Sequence, residues 1–108
     1  MLKYLAILFL ICAAALPLSS QSITGEYMLG DTKVSISNDE MTYYVIYESD
    51  NTQRLLNYEE NNLQNEQIWT EWYNAKQTGT FIFKSDYSSA IYTNYRTDKE
   101  DYVKKINP

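Results

Sequence analysis

Thr78-Gly79-Thr80-Phe81-Ile82-Phe83-Lys84-Ser85-Asp86-Tyr87-Ser88-Ser89-Ala90-Ile91-Tyr92-Thr93-Asn94-Tyr95-Arg96 holds two β-rich runs on either side of a polar turn at Ser85-Asp86. β-Branched and aromatic residues crowd both runs, and successive strand side chains point to opposite faces, so the stretch predicts a β-hairpin. Phe81 and Phe83 share one face. Ile91, Thr93 and Tyr95 are the expected partners on that face from the second run.

Outward from this hairpin, similar runs recur at short and fairly even intervals. Eight are expected: Ile23 to Leu29, Lys33 to Ser37, Met41 to Glu48, Gln53 to Tyr58, Gln67 to Tyr73, Thr80 to Lys84, Ser89 to Tyr95 and Asp101 to Ile106. Turn chemistry fills the gaps. Gly30-Asp31 suits a tight hairpin with glycine at positive φ, and Asn38-Asp39-Glu40 and Ser49-Asp50-Asn51-Thr52 offer side chains that bond their own backbone. Leu55 to Gln67 is poor in β-branched residues but keeps helical spacing badly, so a wide polar loop is expected over Glu59 to Glu66. Short connections make sequential strands antiparallel. The expected fold is therefore an all-β, antiparallel up-and-down meander of about eight strands, either a closed barrel or a flattened sandwich. Closure removes exposed edges, and an eight-stranded barrel is just wide enough to be filled by its own side chains. Tyr27, Leu29, Val34, Ile36, Tyr43, Val45, Tyr47, Phe81, Phe83 and Ile91 are the expected inward set. Tyr44 and Ile46 fall on the other face, as an exposed aromatic patch or a second covered layer.

The first run opens with Gly25-Glu26-Tyr27, a Gly-x-aromatic start that resembles the lipocalin and calycin pattern, which has Trp where this chain has Tyr27. The resemblance implies an antiparallel barrel. It implies no ligand, because that family is longer and adds a helix after the last strand, for which there is no room after Ile106.

Residues 1–20 read differently from the rest. Met1-Leu2-Lys3 is a basic start, Tyr4 to Leu16 is almost unbroken apolar, and Pro17-Leu18-Ser19-Ser20 is a small-residue exit, the pattern of a secretory signal peptide cut after Ser20. The apolar run is shorter than the roughly 20 residues of a membrane-spanning helix. The expected organisation is residues 1–20 as signal peptide and 21–108 as one domain, exported to a bacterial periplasm or exterior without a membrane span. Cys12 is the only cysteine. A lipoprotein would acylate it, but Leu10 and Ile11 stand where small residues are wanted. The domain is therefore expected to lack disulfides and thiolate ligands, which fits a bacterial exported protein better than a disulfide-stapled animal one.

Without Lys3 the chain carries eight basic and fourteen acidic residues, a formal net charge of −6. Such a surface repels nucleic-acid phosphates and anionic lipids. Leu, Ile, Val and Phe make up only 18% of residues 21–108, a proportion found in disordered chains. Ten tyrosines and two tryptophans nonetheless point to a folded domain with an aromatic core, since each large aromatic buries about 150–250 Å².

The chain has no histidine, so it lacks the commonest general base and metal ligand. Carboxylates such as Glu71 with Glu26 or Glu48 could pair as in a glycosidase, but strands normally carry such residues toward solvent. Asp39-Glu40, Glu48-Ser49-Asp50-Asn51 and Glu59-Glu60-Asn61-Asn62 offer oxygen ligands without the spacing of a calcium loop. Neither an enzyme nor a metal or other cofactor is expected.

The remaining candidate is Ile68-Trp69-Thr70-Glu71-Trp72-Tyr73. In a strand Trp69 and Trp72 face opposite ways, so one is expected in the core and the other at the surface. Trp69, Glu71 and Tyr73 share a face, and an exposed Trp and Tyr beside a carboxylate is the composition of a binding site. The expected function is a monomeric, exported, non-catalytic protein-binding module of the inhibitor or immunity type, meeting a basic secreted protein through Trp69, Glu71 and Tyr73. The alternative is a small-ligand or carbohydrate binder of lipocalin-like architecture.

Overall fold

Residues 22–107 are described by the structure, a computed structural model, and contain eight strands and no helix. The expected signal peptide over 1–20 and the expectations that rest on Cys12 lie outside the described residues. The strands are β1 Gly25–Leu29, β2 Thr32–Asp39, β3 Thr42–Tyr47, β4 Gln53–Asn61, β5 Gln67–Tyr73, β6 Lys76–Phe83, β7 Ser89–Asn94 and β8 Lys99–Asn107. Each is antiparallel to the next, and β8 pairs back with β1. The meander is thus a closed up-and-down barrel and not a sandwich.

Alternation along each strand sends one set of side chains inward. Tyr27, Val34, Val45, Phe81, Phe83 and Val103 are fully buried, and Leu29, Ile36, Tyr47, Leu56, Trp69, Ala90 and Tyr92 complete the core. Tyr43 packs against it from a partly buried position. Phe81 and Phe83 stack with ring centroids 5.7 Å apart, and Phe83 meets the edge of Tyr27 at 5.8 Å. The interior is filled by large aromatic side chains packed among aliphatic ones.

The hairpin of β6 and β7 is present, but its second strand has the opposite phase from that expected. Phe81 lies opposite Tyr92 and Phe83 opposite Ala90, so Ala90 and Tyr92 point inward. Ile91 is exposed on the outer face, and Tyr95 is exposed beyond the end of β7. The small Ala90 thus stands opposite the bulky Phe83 on the inner face, and the bulkier Ile91 turns outward.

The wide loop expected over Glu59 to Glu66 is also corrected. β4 runs on to Asn61, past a bulge between Tyr58 and Glu60, and turns through residues 62–66. The Asn62 side chain accepts the backbone N–H groups of Gln64 and Glu66, which closes this turn without glycine.

Turns after β1, β3, β5 and β7 share one end of the barrel, the upper end, and those after β2, β4 and β6 share the lower end. Gly30 takes φ 58° in the first upper turn. Asn74 and Ala75, at φ 51° and 63°, form the tight turn between β5 and β6. At the lower end Ile23, ahead of β1, is buried, and its carbonyl accepts a 2.7 Å bond from the Tyr27 hydroxyl. That segment closes the lower end of the core.

Candidate functional site

The upper end is closed by a buried carboxylate. Glu71 on β5 has no exposed surface. Four side chains donate to it: the Tyr47 hydroxyl at 2.5 Å, the Tyr92 hydroxyl at 2.7 Å, the Thr78 hydroxyl at 2.8 Å and an Arg54 guanidinium nitrogen at 3.3 Å. Arg54, Thr78 and Tyr92 converge on Oε1 and Tyr47 meets Oε2, so both carboxylate oxygens have partners. Burying a charge is costly unless it is paired and hydrogen-bonded, and both conditions hold here.

Two local features bring these groups together. The β5–β6 ladder slips between Glu71 and Trp72, with Glu71 opposite Gly79 but Trp72 opposite Gln77. Thr78 is the extra residue of this bulge, which turns its hydroxyl onto Glu71, the usual effect of a bulge on side-chain aim. Gly79 supplies the second feature. A Cβ there would lie 2.5 Å from the Tyr92 hydroxyl and 2.6 Å from the carbon that bears it. The missing side chain is the space through which Tyr92 reaches Glu71. Gly79→Ala is expected to cost about 1–3 kcal/mol, the usual penalty of overpacking, because Tyr92 is held by Glu71 and cannot swing aside. Thermal melting checks this, and an unchanged midpoint would mean that Tyr92 is free to move.

Arg54 enters from β4 across Tyr47. Its guanidinium carbon lies 4.4 Å from the Tyr47 ring centre and 5.1 Å from that of Tyr73, so the group is held against two rings. Burial is the largest influence and works against its charge, but Glu71 together with Tyr47 and Tyr92 outweighs it and holds Arg54 above its ordinary value. The phenols of Tyr47 and Tyr92 are pushed far up, first by burial and next by the Glu71 carboxylate. Arg54 Nε is buried and has no hydrogen-bond partner.

Above this floor opens a cavity of about 480 Å³, walled by Arg54, Tyr73, Lys76, Thr78, Tyr95 and Arg96 with two amide side chains, Gln77 and Asn94. No carboxylate lines it. On the outer surface next to Tyr73, Tyr44, Leu55 and Trp72 form a row across β3, β4 and β5, with Tyr44 opposite Leu55 and Leu55 opposite Trp72. Leu55 is 40% exposed, and Tyr44 and Trp72 are partly so. This row is the outer aromatic patch that Tyr44 was expected to signal.

The structure separates the three residues singled out from the sequence. Trp69 is 7% exposed and packs edge-on against the partly buried Tyr43 and the exposed Tyr58, at 4.9 and 5.5 Å. Glu71 is the buried floor. Only Tyr73 reaches the rim, where it is exposed. The exposed positions assigned to Trp69 and Glu71 are therefore corrected: the aromatics around Trp69 draw it inward, and the strand period carries Glu71 with it. One tryptophan in the core and one at the surface was expected, and Trp72 is the outward one. Arg54, Thr78, Gly79 and Tyr92 were not singled out for this site. The signal available for them was Thr78-Gly79, a residue without a side chain at the start of an otherwise bulky strand.

Among known proteins, no family model matches the chain, and no curated protein or solved structure matches it.

Proposed function

We propose that this chain is an exported, non-catalytic binding protein of the inhibitor or immunity type, which engages another protein through the upper end of the barrel. The observation that carries this is the uncovered row Tyr44, Leu55 and Trp72, which runs into the rim residue Tyr73 beside Arg54. Trp, Tyr and Arg supply most of the binding energy where proteins meet. Closure of the sheet supports side-chain recognition over strand addition, because every strand is already paired on both sides.

Two further features support this reading. Glu71, the one buried carboxylate among the described residues, is already engaged by four side-chain donors, which favours a structural role for it. The filled core also favours a protein partner over the lipocalin-like alternative, which needs space for a ligand inside. The net charge favours a basic partner, and Glu71, paired internally, is not part of that contact.

Retention of proteins from the native exported fraction on immobilised protein tests the proposal. A partner is expected that is held by the unmodified chain and by Ile91→Ser, on another part of the outer face, and lost with Trp72→Ala or Leu55→Ala at unchanged melting temperature. A partner retained equally by all four proteins would overturn this face as the contact.

A further inference from the structure

Nine basic residues serve the whole chain, whose formal net charge is −5, yet three of them, Arg54, Lys76 and Arg96, wall a single cavity. Arg54 has Glu71 as its partner. Lys76 and Arg96 have no ion-pair partner among the described residues, where the other ion pairs are Lys33 with Glu26 and Glu48, and Lys84 with Glu66. The acidic residues of the same end, such as Asp50 and Asp98, stand in turns and not in the cavity wall. Asp50 is moreover occupied in bonding the backbone N–H and hydroxyl of Thr52. With Arg54 balanced by Glu71, Lys76 and Arg96 stand in the same wall without a counter-charge and repel one another, and an entering anion relieves that repulsion.

The remaining wall narrows the chemistry. Tyr73 and Tyr95 offer flat apolar faces, while Thr78, Gln77 and Asn94 offer hydroxyl and amide groups. Arg54 is fixed in orientation between Tyr47 and Tyr73, and a planar guanidinium matches a planar carboxylate through two parallel bonds. A volume of about 480 Å³ suits one side chain or one small acid.

We propose that this cavity is a carboxylate site, in which Arg54, Lys76 and Arg96 hold the anion and Tyr73 and Tyr95 pack against the carbon skeleton that bears it. The site rests on the upper end being the binding face, and it names what that face takes in: a carboxylate, supplied by an acidic side chain of the protein partner or by a free organic acid.

Nuclear magnetic resonance titration of the ¹⁵N-labelled domain tests it, with sodium glucuronate as the free acid, a short glutamate-containing peptide as the protein-like source, and glucose and the glutamine counterpart of the peptide as neutral controls. Shifts are expected to concentrate at residues 76–78 and 94–96 with the acidic probes and to be absent with the neutral ones. Stronger binding of the peptide than of glucuronate assigns the anion to the partner, and the reverse assigns it to a free acid. Lys76→Gln and Arg96→Gln leave the Glu71 floor untouched and are each expected to weaken binding by about tenfold, the scale of one charge-assisted contact. Equal response to neutral probes, shifts centred on Lys104 and Lys105, or unchanged affinity in both variants would overturn the site. Failure of the two proposals is distinguishable: a partner lost with Trp72→Ala but kept by both charge variants leaves the binding face standing without the carboxylate site. Carboxylate binding without any retained protein leaves the site standing without the protein partner.

Discussion

Replacing Glu71 with leucine is expected to lower stability by about 3–5 kcal/mol, because removing one member of a buried pair leaves the other charge uncompensated. Arg54 would lose its partner, and the hydroxyls of Tyr47, Thr78 and Tyr92 would lose their shared acceptor. For a domain of this size, total stability is about 5–10 kcal/mol, so the variant would stand close to unfolding at room temperature. The paired replacement Glu71→Leu with Arg54→Met removes both charges at once. It is expected to recover a large part of the loss, since well-packed apolar residues often replace a buried ion pair at little cost. A double-mutant cycle by urea denaturation measures this, with a coupling of at least about 1 kcal/mol expected for groups in direct contact. Additive losses would show that Arg54 and Glu71 act independently, and an unaltered midpoint for Glu71→Leu would show that the cluster does not hold the upper end together.

Alkaline pH is expected to unfold the barrel through its tyrosines. Burial raises the phenols of Tyr27, Tyr47 and Tyr92 well above the ordinary tyrosine value of about 10. Tyr87 adds to the effect at Tyr27, and Glu71 at the other two. In the unfolded chain these groups lose their protons near pH 10, whereas in the folded chain they keep them. The native state then binds more protons, so the stability they contribute is fully present below about pH 10 and is lost as pH rises toward the folded values. Each group changes stability by about 1.4 kcal/mol per pH unit in that window, or about 4 kcal/mol for three together. Lys105, lowered by burial, acts in the opposite sense but is a single group. Unfolding is accordingly expected within about two units above pH 10. Phenolate absorbance followed beside circular dichroism checks it: three tyrosines should ionise in one step that coincides with loss of the β-sheet signal. Smooth ionisation of every tyrosine in an intact barrel would sink the prediction.

The fold was legible because its two signals are local. Alternation inside runs such as Tyr27 to Leu29 and Phe81 to Phe83 marks strands, and short polar gaps such as Gly30-Asp31 force neighbours to be antiparallel. The number of strands allowed closure but left a barrel and a flattened sandwich both open, and the β1–β8 pairing decides for the barrel. The phase of individual strands was less legible where both faces carry large side chains. Tyrosine reads as core or surface with equal ease, so Ser89-Ala90-Ile91-Tyr92 gives no polarity contrast, and the branched Ile91 reads as core ahead of Ala90 and Tyr92. The same ambiguity hid Trp69. Least legible was the cluster at Glu71, whose partners lie 24, 17, 7 and 21 residues away on four other strands. Its geometry depends on a slip in one ladder and on a missing side chain at Gly79, and neither leaves a mark on hydrophobic periodicity.

The pairing of β1 with β8 also sets the order in which this protein can be assembled. Seven ladders join consecutive strands across short turns, whereas the eighth brings Glu26 beside Asn107, residues separated by almost the whole described chain. Closing that loop costs about 2 kcal/mol more in chain entropy than closing a turn about an eighth as long. The hairpins therefore gain their contacts early, and the seam is rewarded last. Until it forms, β1 and β8 each present a free edge able to pair with another chain. The seam that leaves the native barrel without edges is thus also the point at which a half-folded molecule is most exposed to association.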